Sequence, residues 1–104
     1  MLLRFAQQRD IKEWEYSWDD GGYTRVKLFV WDREYDAPIV RVDYPGGEGN
    51  NTTYCRPTLD RRFSGSVNWG GWTGKTRAHD LIPLDARQWI EEWIRRTEWL
   101  GVDG

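Results

Sequence analysis

The sequence predicts an α+β domain: an antiparallel meander sheet of four to five strands with one C-terminal amphipathic helix packed on one face. Residues 14–44 predict the sheet, because apolar and polar side chains alternate there and turn-forming residues separate the runs. Residues 85–100 predict the helix, because their apolar side chains recur with a helical period. The 104 residues contain neither an internal repeat nor a linker, so we expect a single domain over 1–104.

The first predicted strand is marked by aromatic residues. Trp14, Tyr16 and Trp18 alternate with polar side chains, which places the three rings on one face, toward the core. Asp19-Asp20-Gly21-Gly22 follows and favours a tight hairpin turn of the Asp-Gly kind.

The middle strands are predicted over 23–31 and 39–44, joined by a second hairpin connection. A loop over 45–50 precedes a fourth strand near 51–56 and a short fifth strand near 63–69. In the first of the middle strands, one face carries Val26, Leu28 and Val30, and the other carries Phe29 and Trp31. In the second, one face carries Val40, Val42 and Tyr44, and the other carries Arg41 and Asp43.

The C-terminal helix is predicted to begin after Pro83. Asp85 is a suitable N-cap and Gln88 stands three residues later, which is the capping-box pattern. Glu91 and Arg95 have the i,i+4 spacing of a helical ion pair. Gly101 follows as the residue that ends the helix. The apolar arc consists of Ala86, Trp89, Ile90, Trp93, Ile94, Thr97 and Leu100.

Eight tryptophans are an unusually large number for a chain of this length. On predicted core faces, where each ring adds much buried area, lie Trp14, Trp18, Trp89 and Trp93. The pattern does not place Trp31, Trp69, Trp72 and Trp99 in the core, and each of these is either an exposed binding residue or buried under a loop. Trp99 projects from the polar side of the helix, so we expect it to be accessible unless a second copy covers it in a homodimer.

Charge is segregated along the chain. The net charge is −2, but residues 49–79 carry five basic side chains against Asp60 alone. Exposed tryptophan beside arginine is typical of binding hot spots. We therefore predict a partner-binding surface formed by Arg56, Arg61, Arg62, Trp69, Trp72, Lys75, Arg77 and Trp99.

The stretch GGWTGKT at 70–76 ends like a nucleotide-binding P-loop, but the motif requires glycine at position 69, which is Trp. A P-loop also joins a buried strand to a helix of a parallel sheet, and this pattern predicts no such sheet. We therefore expect neither nucleotide hydrolysis nor a cofactor, although the Gly-rich loop could offer N–H groups to an anion.

Candidates for catalysis are few. Cys55 and His79 are each the single residue of their type, and no local signature of a Cys–His nucleophile pair surrounds either one. Glu13 and Glu15 alternate along a strand, which favours a solvated face over a glycosidase cleft. One cysteine and one histidine give little support for a metal site.

Three functions remain, in decreasing order of support. The first is a small non-enzymatic interaction protein that docks on and blocks another macromolecule, most readily a protein, as phage-encoded inhibitors of host or defence proteins do. The second is a nucleic-acid or nucleotide binding module that uses the basic aromatic segment 54–77, which a pI near 5.4 disfavours. The third is a small enzyme that uses Cys55 or His79.

The expected location is the cytoplasm, which would be the host cytoplasm for a phage-encoded chain. No apolar run approaches the roughly 20 residues of a membrane helix, and the first residues lack the pattern of a secretory signal. Because Cys55 is the only cysteine, no internal disulfide can form, which fits a reducing compartment.

Overall fold

The structure is a computed structural model that describes residues 8–31, 38–46, 49–60, 62, 65–73 and 78–97. It confirms the predicted α+β fold: five antiparallel strands pair in chain order as a meander, and a C-terminal helix contacts the last two strands. The strands are β1 (Gln8–Ser17), β2 (Tyr23–Trp31), β3 (Ile39–Gly46), β4 (Gly49–Asp60) and β5 (Ser66–Thr73), and the helices are α1 (Ala78–Leu81) and α2 (Leu84–Thr97).

Strand register assigns the side chains to two faces of the sheet. Val26 lies opposite Val42 and Leu28 opposite Val40, so their side chains share one face. We call it the helix face, because it holds the core formed with the helices: Val26, Leu28, Val40, Val42, Cys55, Ile82, Ala86, Ile90 and Ile94. We call the other face the charged face, because it carries Glu13, Glu15, Arg25, Lys27, Arg41 and Asp43.

Aromatic rings connect α2 to the first strand across the helix face. The Trp14 and Trp89 rings meet edge to face, with centroids 5.5 Å apart and an interplanar angle of 73°. Lys12 Nζ lies 5.0 Å from the Trp89 ring centroid and 5.7 Å from that of Trp14. Trp93 also packs against the core, so the predicted core positions of Trp14, Trp89 and Trp93 are confirmed.

The fourth and fifth strands differ from their predicted bounds: β4 continues through a proline to Asp60, and β5 ends at Thr73. Pro57 is fully buried within β4 and lies opposite Trp69 of β5. A proline in a central strand removes a ladder hydrogen bond. Here β4 pairs with β3 only from Gly49 to Cys55, so at Pro57 its pairing is with β5 alone, and the strand tolerates the missing N–H group.

Helix α2 begins before the predicted N-cap. The Arg87 N–H group donates to the Pro83 carbonyl at 3.0 Å, so Pro83 is the N-cap and the prediction of Asp85 is wrong. Asp85 lies in the first turn, where its negative charge interacts favourably with the positive end of the helix dipole and stabilises the helix. The predicted ion pair is confirmed, with 3.7 Å between Arg95 Nη2 and Glu91 Oε2.

Candidate functional site at the end of the first hairpin

The described residues of the predicted binding surface lie on opposite faces of the sheet. Arg56 is exposed on the charged face, at a position opposite Gly70. Trp69 is half-buried and packs against the core on the helix face. Arg62 is exposed and pairs with Asp60 at 3.3 Å. Because Arg56 and Trp69 point away from each other, these two side chains do not form one patch.

The rest of that predicted surface falls outside what the structure describes. Trp72 belongs to β5, but only its backbone is described, as is also true of Trp31 in β2 and His79 in α1. Residues 70–73 of the Gly-rich stretch form the end of β5. Outside the described residues lie Arg61, Lys75, Arg77 and Trp99.

Ion pairs cover the charged face. Arg25 contacts Glu13 at 3.5 Å and Glu15 at 3.1 Å across β1 and β2, and both carboxylates are exposed, as predicted. Further pairs join Lys27 to Asp10 at 3.4 Å and Arg41 to Asp43 at 3.1 Å. A hydrogen bond from Gln8 and the charge of Lys27 hold the pKa of Asp10 below its usual value. Within the described ranges Arg56 has no ion pair, so its guanidinium group on this face does not have to leave a carboxylate in order to contact a partner.

Cys55 lies in the middle of the core. Its side chain is fully buried on the helix face, opposite Val40, and burial raises the pKa of the thiol to about 12. A nucleophilic cysteine needs access to substrate and a thiolate, so this environment disfavours a catalytic role for Cys55. In the described part of the chain, no three His, Cys, Asp or Glu side chains are grouped to hold a metal ion.

The turn between β1 and β2 has a defined geometry. The backbone N–H of Trp18 donates to the Gly22 carbonyl at 2.8 Å, and the backbone N–H of Gly21 donates to the Trp18 carbonyl at 3.0 Å. Gly21 has a φ of 86°, which side-chain-bearing residues rarely adopt. Asp20 Oδ1 accepts a hydrogen bond from the Gly22 N–H at 2.9 Å. The predicted turn is therefore present as a loop that fixes the backbone of Trp18.

Trp18 is exposed, which corrects its predicted core position. It follows the last residue of β1, and 44% of its surface is accessible. Its ring stacks on Tyr16, with centroids 5.7 Å apart and planes within 5° of parallel. The indole Nε1–H donates to Oγ1 of the buried Thr24 at 3.0 Å. The side chain is therefore held in one orientation while much of the ring contacts solvent.

Tyr16 links this end of the hairpin to the helix. Its hydroxyl group donates a hydrogen bond of 2.8 Å to Asp85 Oδ1 in the first turn of α2. Burial, followed by the contact with Asp85, raises the pKa of Tyr16 to about 12. The neighbouring residue Leu84 is 64% exposed, so an apolar side chain lies beside this junction.

We call Tyr16, Trp18 and Tyr23 the hairpin patch. The three residues line one open groove of about 410 Å³, together with Glu15, Gly22 and Arg25. Tyr23 is 37% exposed and lies opposite Ser17, so it belongs to the charged face, whereas Tyr16 and Trp18 lie on the helix face. The groove therefore spans the end of the hairpin, with one accessible ring on each side. An oriented, exposed tryptophan beside tyrosines is the composition of a protein-binding hot spot.

Sequence periodicity missed this site, because alternation places Trp18 on the same face as Trp14. The signal that could have identified this site is the position of Trp18 at the end of the predicted strand. Trp18 directly precedes Asp19-Asp20-Gly21-Gly22, so its ring lies at the end of the strand, where the sheet stops and burial is incomplete.

None of the helices in the described part of the chain is long and apolar enough to cross a membrane. Comparison of the whole chain with protein-family models, with curated proteins and with solved structures finds no match.

Proposed function

We propose that this protein is a non-catalytic binding protein that docks on another protein through the hairpin patch and blocks part of that partner's surface. The exposure of Trp18 carries the proposal. Exposure of the apolar indole ring to water is unfavourable, and a partner that buries the ring removes that cost. Truncating such a residue in an interface typically lowers the binding free energy by about 2 kcal/mol or more.

The fixed orientation of Trp18 supports docking. The stack on Tyr16 and the hydrogen bond to Thr24 hold the ring in the isolated protein. Binding therefore requires little further ordering of this side chain, and ordering a flexible one costs about 0.5–1.5 kcal/mol.

The charge distribution favours a protein partner over a nucleic acid. Phosphate groups would have to compete with carboxylates for Arg25, Lys27 and Arg41, which are already paired. Nucleic-acid binding also requires stacking aromatic side chains beside cations, whereas Trp69 and Arg56 point to opposite faces.

Affinity capture from lysate of the source cells tests the proposal, with the wild type, Trp18→Ala and Arg56→Ala as baits. We expect the same protein to be retained by the wild type and by Arg56→Ala. Its affinity for Trp18→Ala, measured with the purified partner, should fall by about thirtyfold. Arg56→Ala is the matched control, because Arg56 belongs to the basic segment and is exposed away from the hairpin patch.

Unchanged affinity of a folded Trp18→Ala protein would contradict docking through the hairpin patch. Loss of binding in Arg56→Ala alone would assign the interface to the basic segment. Circular dichroism of each bait shows whether it is folded, and Trp18→Phe, which keeps a ring on Tyr16, replaces the alanine variant if that one unfolds. Retained material that nuclease removes would point to the nucleic-acid alternative.

A further inference from the structure

We infer that the hairpin patch receives a cationic segment of the partner, that is, a loop or tail that presents arginine or lysine side chains. This inference rests on the proposed function and names the chemistry of the segment that enters the groove.

The charge around the groove is negative. Residues 13–25 carry four carboxylates and one guanidinium, which gives a net charge of −3. The single cation, Arg25, already contacts Glu13 and Glu15, so its charge is largely compensated. Asp19 and Asp20 are exposed at the tip of the hairpin. The surface beside the aromatic rings therefore attracts cations and repels anions.

The aromatic rings add a second attraction for the same ligand. One face of the Trp18 ring is directed at Tyr16, and its N–H group is occupied by Thr24. The remaining face carries the negative potential of the indole π-system, over which a guanidinium or ammonium group packs favourably. The protein makes such a contact within its own fold, where Lys12 lies over the rings of Trp14 and Trp89.

The dimensions of the groove suit a side chain. Its volume of about 410 Å³ lies near the lower end of the roughly 300–1,000 Å³ of small-molecule sites. The alkyl stem of an arginine or lysine can cover the exposed part of the Trp18 ring while its charged group approaches Asp19 or Asp20 in the adjoining turn.

The test uses a synthetic peptide of alternating arginine and glycine as the probe, with a glutamate–glycine peptide of equal length as its counterpart. Binding is followed by the indole Nε1–H resonance of Trp18 in ¹⁵N-labelled protein, which is assigned from its absence in Trp18→Phe. We expect the arginine peptide to shift this resonance saturably and the glutamate peptide to leave it unchanged.

Charge-neutral variants give the decisive comparison. Asp19→Asn combined with Asp20→Asn should weaken binding of the arginine peptide about fivefold. The asparagine at position 20 retains an oxygen that can accept the Gly22 hydrogen bond, so the turn is kept. Glu92→Gln removes an exposed carboxylate from α2 and should leave the affinity unchanged within about twofold.

The inference is overturned if the arginine peptide does not shift the Trp18 resonance, or if the double asparagine variant binds it as tightly as the wild type. It is also overturned if single-stranded oligothymidine shifts the resonance and the peptide does not. If the peptide fails while Trp18→Ala still loses the captured protein, the proposed docking function stands and only the cationic ligand is wrong.

Discussion

The two faces of the sheet are built by the same strands but stabilised by different interactions. On the helix face, Val26, Leu28 and Ile90 are inaccessible to solvent, and their stability comes from burial and close packing. On the charged face, Arg25 remains 45% exposed within its ion pairs, so water competes for these contacts. The difference teaches that stability depends mainly on the helix face. Residues of the charged face and of the hairpin end can therefore be substituted at little cost in stability, which makes these regions suitable for binding.

Ile90→Ala should produce the largest effect, because it leaves a cavity between α2 and the sheet. We expect the free energy of unfolding to fall by about 2–5 kcal/mol, as for other fully buried isoleucine residues. Urea denaturation followed by circular dichroism measures it. Glu92→Ala, on the exposed side of the same helix, is the control and should stay within about 0.5 kcal/mol. An Ile90→Ala protein as stable as the wild type would mean that α2 contributes little to the core.

Tyr16→Phe should have an intermediate effect, because it removes the hydrogen bond between β1 and α2. At neutral pH the free energy of unfolding should fall by about 1 kcal/mol. Tyr44→Phe is the control, because among the described residues the Tyr44 hydroxyl has no hydrogen-bond partner. Equal stability of wild type and Tyr16→Phe at pH 7 would show that the bond to Asp85 makes no net contribution.

The effect of Tyr16→Phe should also depend on pH in a defined direction. The pKa of Tyr16 is about 12 in the folded protein, above the value of about 10 for an unfolded tyrosine. Folding therefore favours the neutral phenol, and its contribution is complete below pH 10 and is lost as the pH rises through 12. Urea denaturation at pH 8, 10 and 11.5 should show the full difference between wild type and Tyr16→Phe at pH 8, a smaller difference at pH 10, where about half of the unfolded tyrosine is ionised, and its loss at pH 11.5. A difference that disappears by pH 8 would contradict the raised pKa.

Arg25→Gln should have the smallest effect, because both of its ion pairs are exposed. We expect a loss of less than about 1 kcal/mol that shrinks further at high salt, where exposed charges are screened. Arg56→Gln makes the same chemical change on the same face without an ion pair and should leave stability unchanged. A loss for Arg25→Gln as large as that for Ile90→Ala would remove the distinction between the two faces.

Periodicity predicted the helix face well, because burial on one side of a strand or helix leaves a regular pattern. Val26, Leu28, Val40 and Val42 are all fully buried as expected. The end of β4 was missed, because the tolerance for Pro57 depends on how far β3 extends beside it. That length is a property of the assembled sheet, and no residue near the proline encodes it.

The candidate site was less predictable than the fold. Residues 56–77 are close in sequence, but β4 and β5 direct Arg56 and Trp69 to opposite faces. The hairpin patch depends instead on where strand β1 ends relative to the helix, and on the stack between Tyr16 and Trp18. Composition pointed to exposed tryptophans as candidate binding residues, but it did not include Trp18 among them, whose exposure only the structure shows.

The hydrogen bond between Tyr16 and Asp85 joins residues 69 positions apart, which has a consequence for synthesis of the protein. At about 5–20 residues per second, a ribosome needs roughly 3–14 seconds to add the intervening residues. As β2 to β5 are made during that interval they can pair as a local meander, but Val26, Leu28 and Val40 lack the helix that buries them until α2 follows. The nascent chain therefore exposes an apolar surface for seconds. During this period aggregation competes with folding unless a chaperone covers that surface.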